Sequence, residues 1–208
     1  MDYVKKIILV CLFFLVLGSA IGLPFVYESQ TLWYKIGLDK TMLRAGQLSG
    51  MLALTLLFTQ VLLAVGGPFL QKAFGLKNLM SWHRLGGVLI VFFALIHVFL
   101  ILVPEGLANL PIGKKFWPEM VGSLLLWVLV AMVISSRYRE KLKLNYKRWR
   151  AIHKPLGYLA TFLVVIHVLS VSDSFEQALP RNILIVTFMM ILVRVVWVKV
   201  SARITQKR

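Results

Sequence analysis

The chain has few charged residues. They make up 15% of its 208 positions, whereas about a quarter of the residues in ordinary soluble domains are charged, and 59% of its residues are hydrophobic. Glycine-rich linkers, low-complexity runs and long polar segments are absent. The mean hydropathy is +0.81, which is typical of a chain that lies mostly in lipid. These features exclude an ordinary soluble domain, and we expect one integral membrane domain that spans 1–208.

Cysteine and acidic residues are also scarce. The single cysteine, Cys11, lies in an apolar run, which excludes a disulfide framework and a cysteine-based zinc site. Eight acidic residues stand against 24 Lys and Arg, for a net charge of +16. In a soluble protein this excess would suggest a nucleic-acid partner. In a membrane protein such charge collects in cytoplasmic loops, so it is interpreted here by position.

Six apolar stretches predict six membrane-spanning helices. A helix needs about 20 mostly apolar residues to cross a bilayer. The stretches are 7–27, 47–65, 82–103, 116–136, 152–171 and 182–200. The connections between them are short, and several carry turn residues, at 66–68, 104–106, 111–113 and Pro180. The predicted fold is therefore an all-α bundle of six membrane helices.

The positions of the basic residues predict the orientation of this bundle. With the N-terminus inside, the cytoplasmic segments hold eighteen Lys and Arg and the outer connections hold six. The richest segment is "RYREKLKLNYKRWRAIHK" (137–154), with eight. This asymmetry predicts that both termini are cytoplasmic. We expect a multi-pass protein of the cell membrane, most simply the inner membrane of a bacterium.

The first span also resembles a signal peptide. Its start, "MDYVKKIILVCLFFLVLGSA", combines charged residues, an apolar run and small residues. Because the apolar run is longer than a typical signal core, we predict an uncleaved anchor. Cleavage would leave five spans in the same orientation.

All four histidines lie in two stretches that repeat one pattern. In "HRLGGVLIVFFALIHV" (83–98) and "HKPLGYLATFLVVIHV" (153–168), a second histidine follows the first by fourteen residues. On a continuous helix this spacing advances about 21 Å through almost four full turns, so both histidines lie on nearly one face. The third and fifth spans are parallel, which would match His83 with His153 and His97 with His167. Pro155 marks either the first turn of its helix or a kink.

Two explanations of these histidines remain to be weighed. A lone histidine in a span often only donates a hydrogen bond between helices. Two equally spaced pairs favour a cofactor instead, since ionisable residues inside a membrane are rare and generally functional. A zinc site needs four converging ligands, whereas each pair offers two nitrogens. Two imidazoles that face each other suit haem iron, whose porphyrin fills the other four positions. We therefore predict two bis-histidine haems, which pass electrons and leave no open site at iron.

Glycines and cations near the histidines are candidate cofactor contacts. Glycines could let a flat macrocycle approach the backbone, although small residues also serve ordinary helix packing. Cations would favour the anionic propionates of haem. At the predicted cytoplasmic end the candidates are Gly86, Gly87, Gly157, Arg84, Lys147, Arg148, Arg150 and Lys154; at the outer end they are Arg44, Lys114 and Lys115.

The stretch "SWHRLGGVLIVFFALIHV", followed by "NYKRWRAIHKPLGYLATFLVVIHV", resembles the ferric reductase-like transmembrane domain, over roughly 46–200. This superfamily includes the membrane parts of ferric reductases and NADPH oxidases, and the haem-binding subunit of the methionine sulfoxide reductase system. The resemblance implies a six-helix bundle with two stacked b-type haems that moves electrons across the membrane. The full set of four histidines is more like the general ferric reductase type, because the methionine sulfoxide reductase subunit lacks a histidine at the position of His83.

The resemblance leaves the partners open. Related oxidoreductases continue into a soluble flavin and nicotinamide module, whereas the sequence has no G-x-G-x-x-G or other dinucleotide signature. The electron donor is then a separate flavoprotein with FMN or FAD, or membrane quinol; the acceptor is ferric iron, a periplasmic reductase or oxygen. The alternatives are a haem-binding subunit of a methionine sulfoxide reductase system, a haem protein without turnover, and a transporter that uses histidines as proton relays.

Overall fold

The computed structural model describes residues 2–106 and 112–206. Within these ranges the chain forms seven α-helices and no strand. The α-helices are α1 (Asp2–Val26), α2 (Gly37–Val65), α3 (Gly67–Phe74), α4 (Leu76–Glu105), α5 (Trp117–Arg137), α6 (Tyr146–Val171) and α7 (Ala178–Gln206). Short 3-10 helices lie at Gln30–Trp33, Lys114–Phe116 and Asp173–Phe175.

Six of the helices, all except α3, are long and apolar enough to cross a membrane. This confirms the predicted all-α fold with six spans. The helices extend past the apolar stretches; α2, for example, begins at Gly37 rather than at 47. The difference arises because a helix that has formed propagates easily through polar residues at the membrane surface. The predicted turn residue Pro111 and the basic residues Lys207 and Arg208 lie outside the described residues.

The connection between the second and third spans contains a helix that was not predicted. Gly67 has φ +61°, a conformation that favours glycine, and it reverses the chain after α2. Pro68 then stands in the first turn of α3, where its missing N–H costs nothing. A second glycine in the left-handed region, Gly75 with φ +79°, separates α3 from α4. The sequence predicted a turn at 66–68, but eight residues, Gly67–Phe74, are helical, and Gly75 was not among the predicted turn residues.

Helix α6 begins well before its first histidine. The side chain of Asn145 accepts a hydrogen bond of 2.8 Å from the backbone N–H of Arg148, which caps the new helix. The helix then runs without interruption through Pro155 to Val171. His153 therefore lies inside a formed helix, and Pro155 is an interior proline rather than a first-turn one.

Helix α2 is the most buried span of the bundle. It packs against α1, α4, α6 and α7, and α5 packs against α4 and α6. The two helices that carry the histidines, α4 and α6, make few close backbone contacts with each other over the part of the chain that is described. They face each other across a gap that α2 and α5 flank, and this gap positions the site.

Hydroxyl groups inside the bundle are satisfied locally. Thr55 donates to the carbonyl of Met51 at 2.9 Å, and Thr161 donates to that of Gly157 at 2.7 Å. Polar groups in a bilayer have no water to bond, so such bonds to the preceding helical turn make buried threonines tolerable.

Two connections at one end of the bundle are tied together. Asp173, after α6, accepts hydrogen bonds from Ser29 at 2.6 Å and from the hydroxyl of Thr31 at 3.3 Å. The hydroxyl of Ser174 donates to the carbonyl of Tyr27 at 2.6 Å. These bonds fasten α1 to the α6–α7 connection. We call this end of the bundle the opposite end, and the end with residues 137–145 the basic end.

Replacing Asp173 with alanine removes the acceptor of the Ser29 bond and should destabilise the folded protein. A part-buried hydrogen bond to a charged group contributes about 1–3 kcal/mol to stability. We expect a lower midpoint of thermal unfolding in detergent for Asp173→Ala. The exposed neighbour Glu176 supplies the control, since Glu176→Ala removes no such bond. Equal midpoints for the two variants would contradict this role of Asp173.

Candidate functional site

The structure brings the four histidines together as two pairs. His83 of α4 faces His153 of α6 with ring centroids 6.2 Å apart and planes at 70°. His97 of α4 faces His167 of α6 with centroids 6.4 Å apart and planes at 82°. Each pair lies across the gap between α4 and α6, one toward the basic end and one toward the opposite end. This is the pairing that the fourteen-residue repeat predicts.

The spacing within each pair leaves room for one metal ion. A metal–imidazole bond is about 2.0 Å and the nitrogen lies roughly 1.1 Å from the ring centre, so two imidazoles on opposite sides of one ion have centroids about 6 Å apart. Rings joined by a direct hydrogen bond would lie roughly 1 Å closer. Over the described residues, no three His, Cys, Asp or Glu side chains converge on one point. The pairs therefore offer two ligands each, and a bound ion would need its other ligands from a cofactor.

Backbone carbonyls of neighbouring helices hold the histidines at the opposite end. Nδ1 of His97 donates to the carbonyl of Gly46 in α2 at 2.9 Å, and Nδ1 of His167 donates to that of Pro118 in α5 at 3.0 Å. Because a carbonyl can only accept, Nδ1 carries the proton. The lone pair then lies on Nε2, which is the form that binds a metal. Both side chains are therefore fixed in the tautomer whose Nε2 is free to bind a metal ion.

A glycine four residues after each of these carbonyls makes room for the imidazole. A Cβ on Gly50 would lie 2.9 Å from Nδ1 of His97, and a Cβ on Gly122 would lie 2.7 Å from Nδ1 of His167. Real Cβ atoms essentially never approach so closely. The carbonyl and the glycine thus act together, since the ring reaches the carbonyl through the space that a side chain would fill. The sequence reasoning missed Gly46, Gly50, Pro118 and Gly122.

The same arrangement repeats, less tightly, at the basic end. Gln60 follows Gly46 by fourteen residues, and Met132 follows Pro118 by fourteen. Nδ1 of His83 is buried without a hydrogen bond of normal geometry among the described residues, and the ring lies near the backbone of Gln60. Nδ1 of His153 lies 3.4 Å from the hydroxyl of Ser136, which itself donates to the carbonyl of Met132 at 2.6 Å.

The hydroxyl of Ser136 therefore occupies the place that a carbonyl has beside His97 and His167. Because its proton is used for Met132, it can only accept from Nδ1 of His153. The fourteen-residue repeat of the histidines is matched by a fourteen-residue repeat of acceptors on α2 and α5. The acceptor repeat can be recognised in the sequence only when it is known that α2 packs against α4 and α5 against α6.

A cavity of about 860 Å³ surrounds the pair at the opposite end, within the size range of cofactor pockets. Its lining is mainly apolar and includes His97, His167, Gly50 and Gly122. Oε1 of Gln47 and Oε2 of Glu119 also face it, and both are buried without a hydrogen-bond partner. No Lys or Arg of the described residues lines it. The cavity therefore suits a mainly apolar group better than a strongly anionic one.

The predicted cation at the opposite end, Arg44, is engaged elsewhere. Its guanidinium pairs with Glu28, donates to the carbonyl of Pro24 and lies 4.9 Å from the ring centre of Phe25. Arg44 does not line the cavity, and neither do Lys114 and Lys115, which are exposed before α5. Arg44 fastens α1 to α2, and its assignment as a propionate contact remains a prediction that this geometry does not favour.

The predicted cations at the basic end lie on its surface. Arg84, Arg150 and Lys154 are exposed. Nε of Arg84 lies 3.4 Å from the carbonyl of Met80, and the guanidinium of Arg150 lies 6.0 Å from the ring centre of Tyr146. They are close in sequence to the histidine pair, and their contact with a cofactor remains a prediction.

The predicted glycines at the basic end differ in what they do. A Cβ on Gly87 would lie 4.0 Å from Val133, and one on Gly157 would lie 3.7 Å from Met132, which are ordinary contacts. A Cβ on Gly86 would instead collide with the side-chain amide of Gln60. Gly86 therefore serves the packing of α4 on α2, and no close approach in the structure requires glycine at 87 or 157.

Substituting the glycines beside the histidine rings should displace those rings. In Gly50→Ala and Gly122→Ala the new methyl group overlaps an imidazole. If each histidine pair holds one haem, as the sequence predicts, we expect loss of roughly one of the two, from the opposite-end pair. The measurement is haem content together with the low-spin signals of the purified protein. Gly22→Ala is the matched control, because a Cβ on Gly22 meets nothing within 4 Å. Full haem content in both variants would refute this steric requirement.

One comparison with known proteins identifies a family for this chain. Residues 49–164 match the family model described as ferric reductase like transmembrane component. The match covers His83, His97 and His153, and His167 lies three residues beyond its end. No curated protein and no solved structure matches the chain significantly. Because the match spans more than half of the chain, the protein belongs to the ferric reductase-like transmembrane family.

Proposed function

We propose that the protein is a membrane cytochrome b that carries electrons across the bilayer through two bis-histidine haems. His83 and His153 would hold one haem b, and His97 and His167 the other. The observation that supports this most is the spacing of the two ring pairs, 6.2 and 6.4 Å, which suits one iron between each pair. Membership of a family of membrane electron-transfer components agrees with it.

The protein's own groups set the properties of such ligands. The carbonyls of Gly46 and Pro118 hold Nδ1–H of His97 and His167, so Nε2 keeps its lone pair and each ring keeps its orientation. A bound haem supplies one-electron chemistry. With a histidine on each side as the ligands, such a site would favour electron transfer over binding of a substrate at iron.

Two histidine pairs at two depths would divide electron transfer across the membrane into two steps. Helix α4 is continuous from Leu76 to Glu105, so His83 and His97 lie about 21 Å apart along its axis. One pair is then near the basic end and the other is near the opposite end. Taking the basic end as cytoplasmic, as the charge distribution predicts, electrons would move outward from a cytoplasmic donor to an acceptor outside.

The basic end suits a negatively charged electron donor. Its connection and the start of α6 expose Lys141, Lys143, Lys147, Arg148 and Arg150, with Glu140 as the one acidic residue of segment 137–154. Such a surface steers an acidic partner toward the nearby histidine pair. The donor would be a separate flavoprotein with FMN or FAD, or membrane quinol, and the acceptor would be ferric iron or a periplasmic reductase.

Haem content is the direct test of this proposal. The detergent-purified protein should contain two b-type haems per chain, by pyridine haemochrome analysis and oxidised and reduced spectra. His97→Ala and His153→Ala should each lose about one haem, because each pair loses one ligand. A colourless protein after haem-replete expression would contradict the cytochrome and favour a histidine proton relay.

Charge reversal tests the basic end as the docking surface. In Lys147→Glu/Arg148→Glu, we expect haem reduction by NADPH and an acidic flavin reductase to slow several-fold at low salt, in stopped-flow measurements. The difference should shrink at high salt, because exposed charges are screened. Lys40→Glu, exposed at the opposite end, is the control. Equal slowing by Lys40→Glu, or no slowing in the double variant, would place docking elsewhere.

A further inference from the structure

Trp149 stacks on the ring of His153 in the basic-end pair. Its ring centroid lies 4.7 Å from that of His153, with the two planes at 28°. The two residues are four positions apart on α6, so Trp149 lies one turn nearer the basic end. The ring centroid of Tyr146 lies 5.7 Å from that of Trp149. Among the four histidines, only His153 has such a parallel ring contact within the described residues.

His153 needs a restraint of this kind. His97 and His167 are each fixed by a hydrogen bond of about 3 Å to a backbone carbonyl. The bond from His153 goes instead to the hydroxyl of Ser136 and is 3.4 Å long, at the limit of a hydrogen bond. A bond of this length does little to fix the plane of the ring. The flat face of Trp149 restricts the rotation that the hydroxyl leaves free.

The indole nitrogen of Trp149 provides a second observation. Its Nε1–H is buried, and no acceptor lies within hydrogen-bond distance among the described residues. Buried tryptophan N–H groups usually have a partner, because an unpaired donor away from water is costly. An acceptor next to the His83–His153 pair would satisfy it. The surrounding surface is basic, so an anionic acceptor is favoured there.

We propose that Trp149 is a positioning residue for His153 and that its Nε1–H donates a hydrogen bond to a carboxylate of the group bound between His83 and His153. This inference rests on the proposed function, since the carboxylate belongs to the peripheral propionates of haem b. The ring stack fixes the ligand, and the N–H fixes the edge of the cofactor. The cations on the surface then balance charge without having to reach the cofactor themselves.

Two substitutions separate these roles. Trp149→Phe keeps an aromatic face against His153 and removes the N–H, whereas Trp149→Leu removes both. Trp197→Leu is the control, because Trp197 is an exposed tryptophan on α7 near the same end of the bundle. The measurements on the full purified chain are haem per chain, the low-spin electron paramagnetic resonance signal of each haem, and the midpoint potential of each haem.

We expect Trp149→Phe to keep both haems and to shift the basic-end midpoint to a more negative value, because an unbonded carboxylate stabilises the ferric state. Trp149→Leu should lose about half of the haem or alter the basic-end signal, while the opposite-end signal persists and shows that the chain is folded. Trp197→Leu should match the wild type.

The results that would contradict the positioning role, the hydrogen bond and the proposed function differ from one another. Unchanged signals and haem content in Trp149→Leu would overturn the positioning role, and an unchanged midpoint in Trp149→Phe would overturn the hydrogen bond. A wild-type protein without haem would overturn the proposed function, and this inference with it.

Discussion

The hydrogen bonds from histidine Nδ1 to acceptors on neighbouring helices are the interactions on which the rest of the site depends. They join α4 to α2 through His97 and Gly46, and α6 to α5 through His167 and Pro118. Inside a bilayer an imidazole has no water to bond, so a polar partner must come from the protein. A helix carbonyl is a rigid acceptor, and it fixes tautomer and orientation together. The bundle itself thereby sets the tautomer and the orientation of these two imidazoles.

The same bonds constrain which residues α2 and α5 can carry. A helix carbonyl is normally covered by the side chain of the following turn, and Gly50 and Gly122 leave it open to the ring. Gly86 acts on the same principle, where its missing side chain admits the amide of Gln60 between α2 and α4. Small residues in membrane helices are often explained by helix packing alone. Here two of them serve the approach of a functional side chain.

The two ends of the bundle are built differently. At the opposite end the histidines are held by carbonyls, and the cavity around them has no lysine or arginine among its described lining residues. At the basic end the acceptors are weaker, an aromatic ring supports His153, and cations cover the surface. A pair of haems in such environments would differ in electrostatic surroundings and in ligand restraint. Because of this difference, two haems with the same pair of histidine ligands would have different reduction potentials.

The sequence by itself determined the six spans, because twenty apolar residues in a row have few alternatives to a membrane helix. It also determined the pairing of the histidines, since equal spacing on two parallel helices brings them to matching depths. It could not find Gly50 or Gly122, because glycines are common in membrane helices and only packing reveals which one faces an imidazole. Nor could the sequence show that Arg44 pairs with Glu28, so it could not exclude Arg44 from the candidate cofactor contacts. Which donor meets which acceptor depends on how helices distant in sequence pack, and only the tertiary structure decided that.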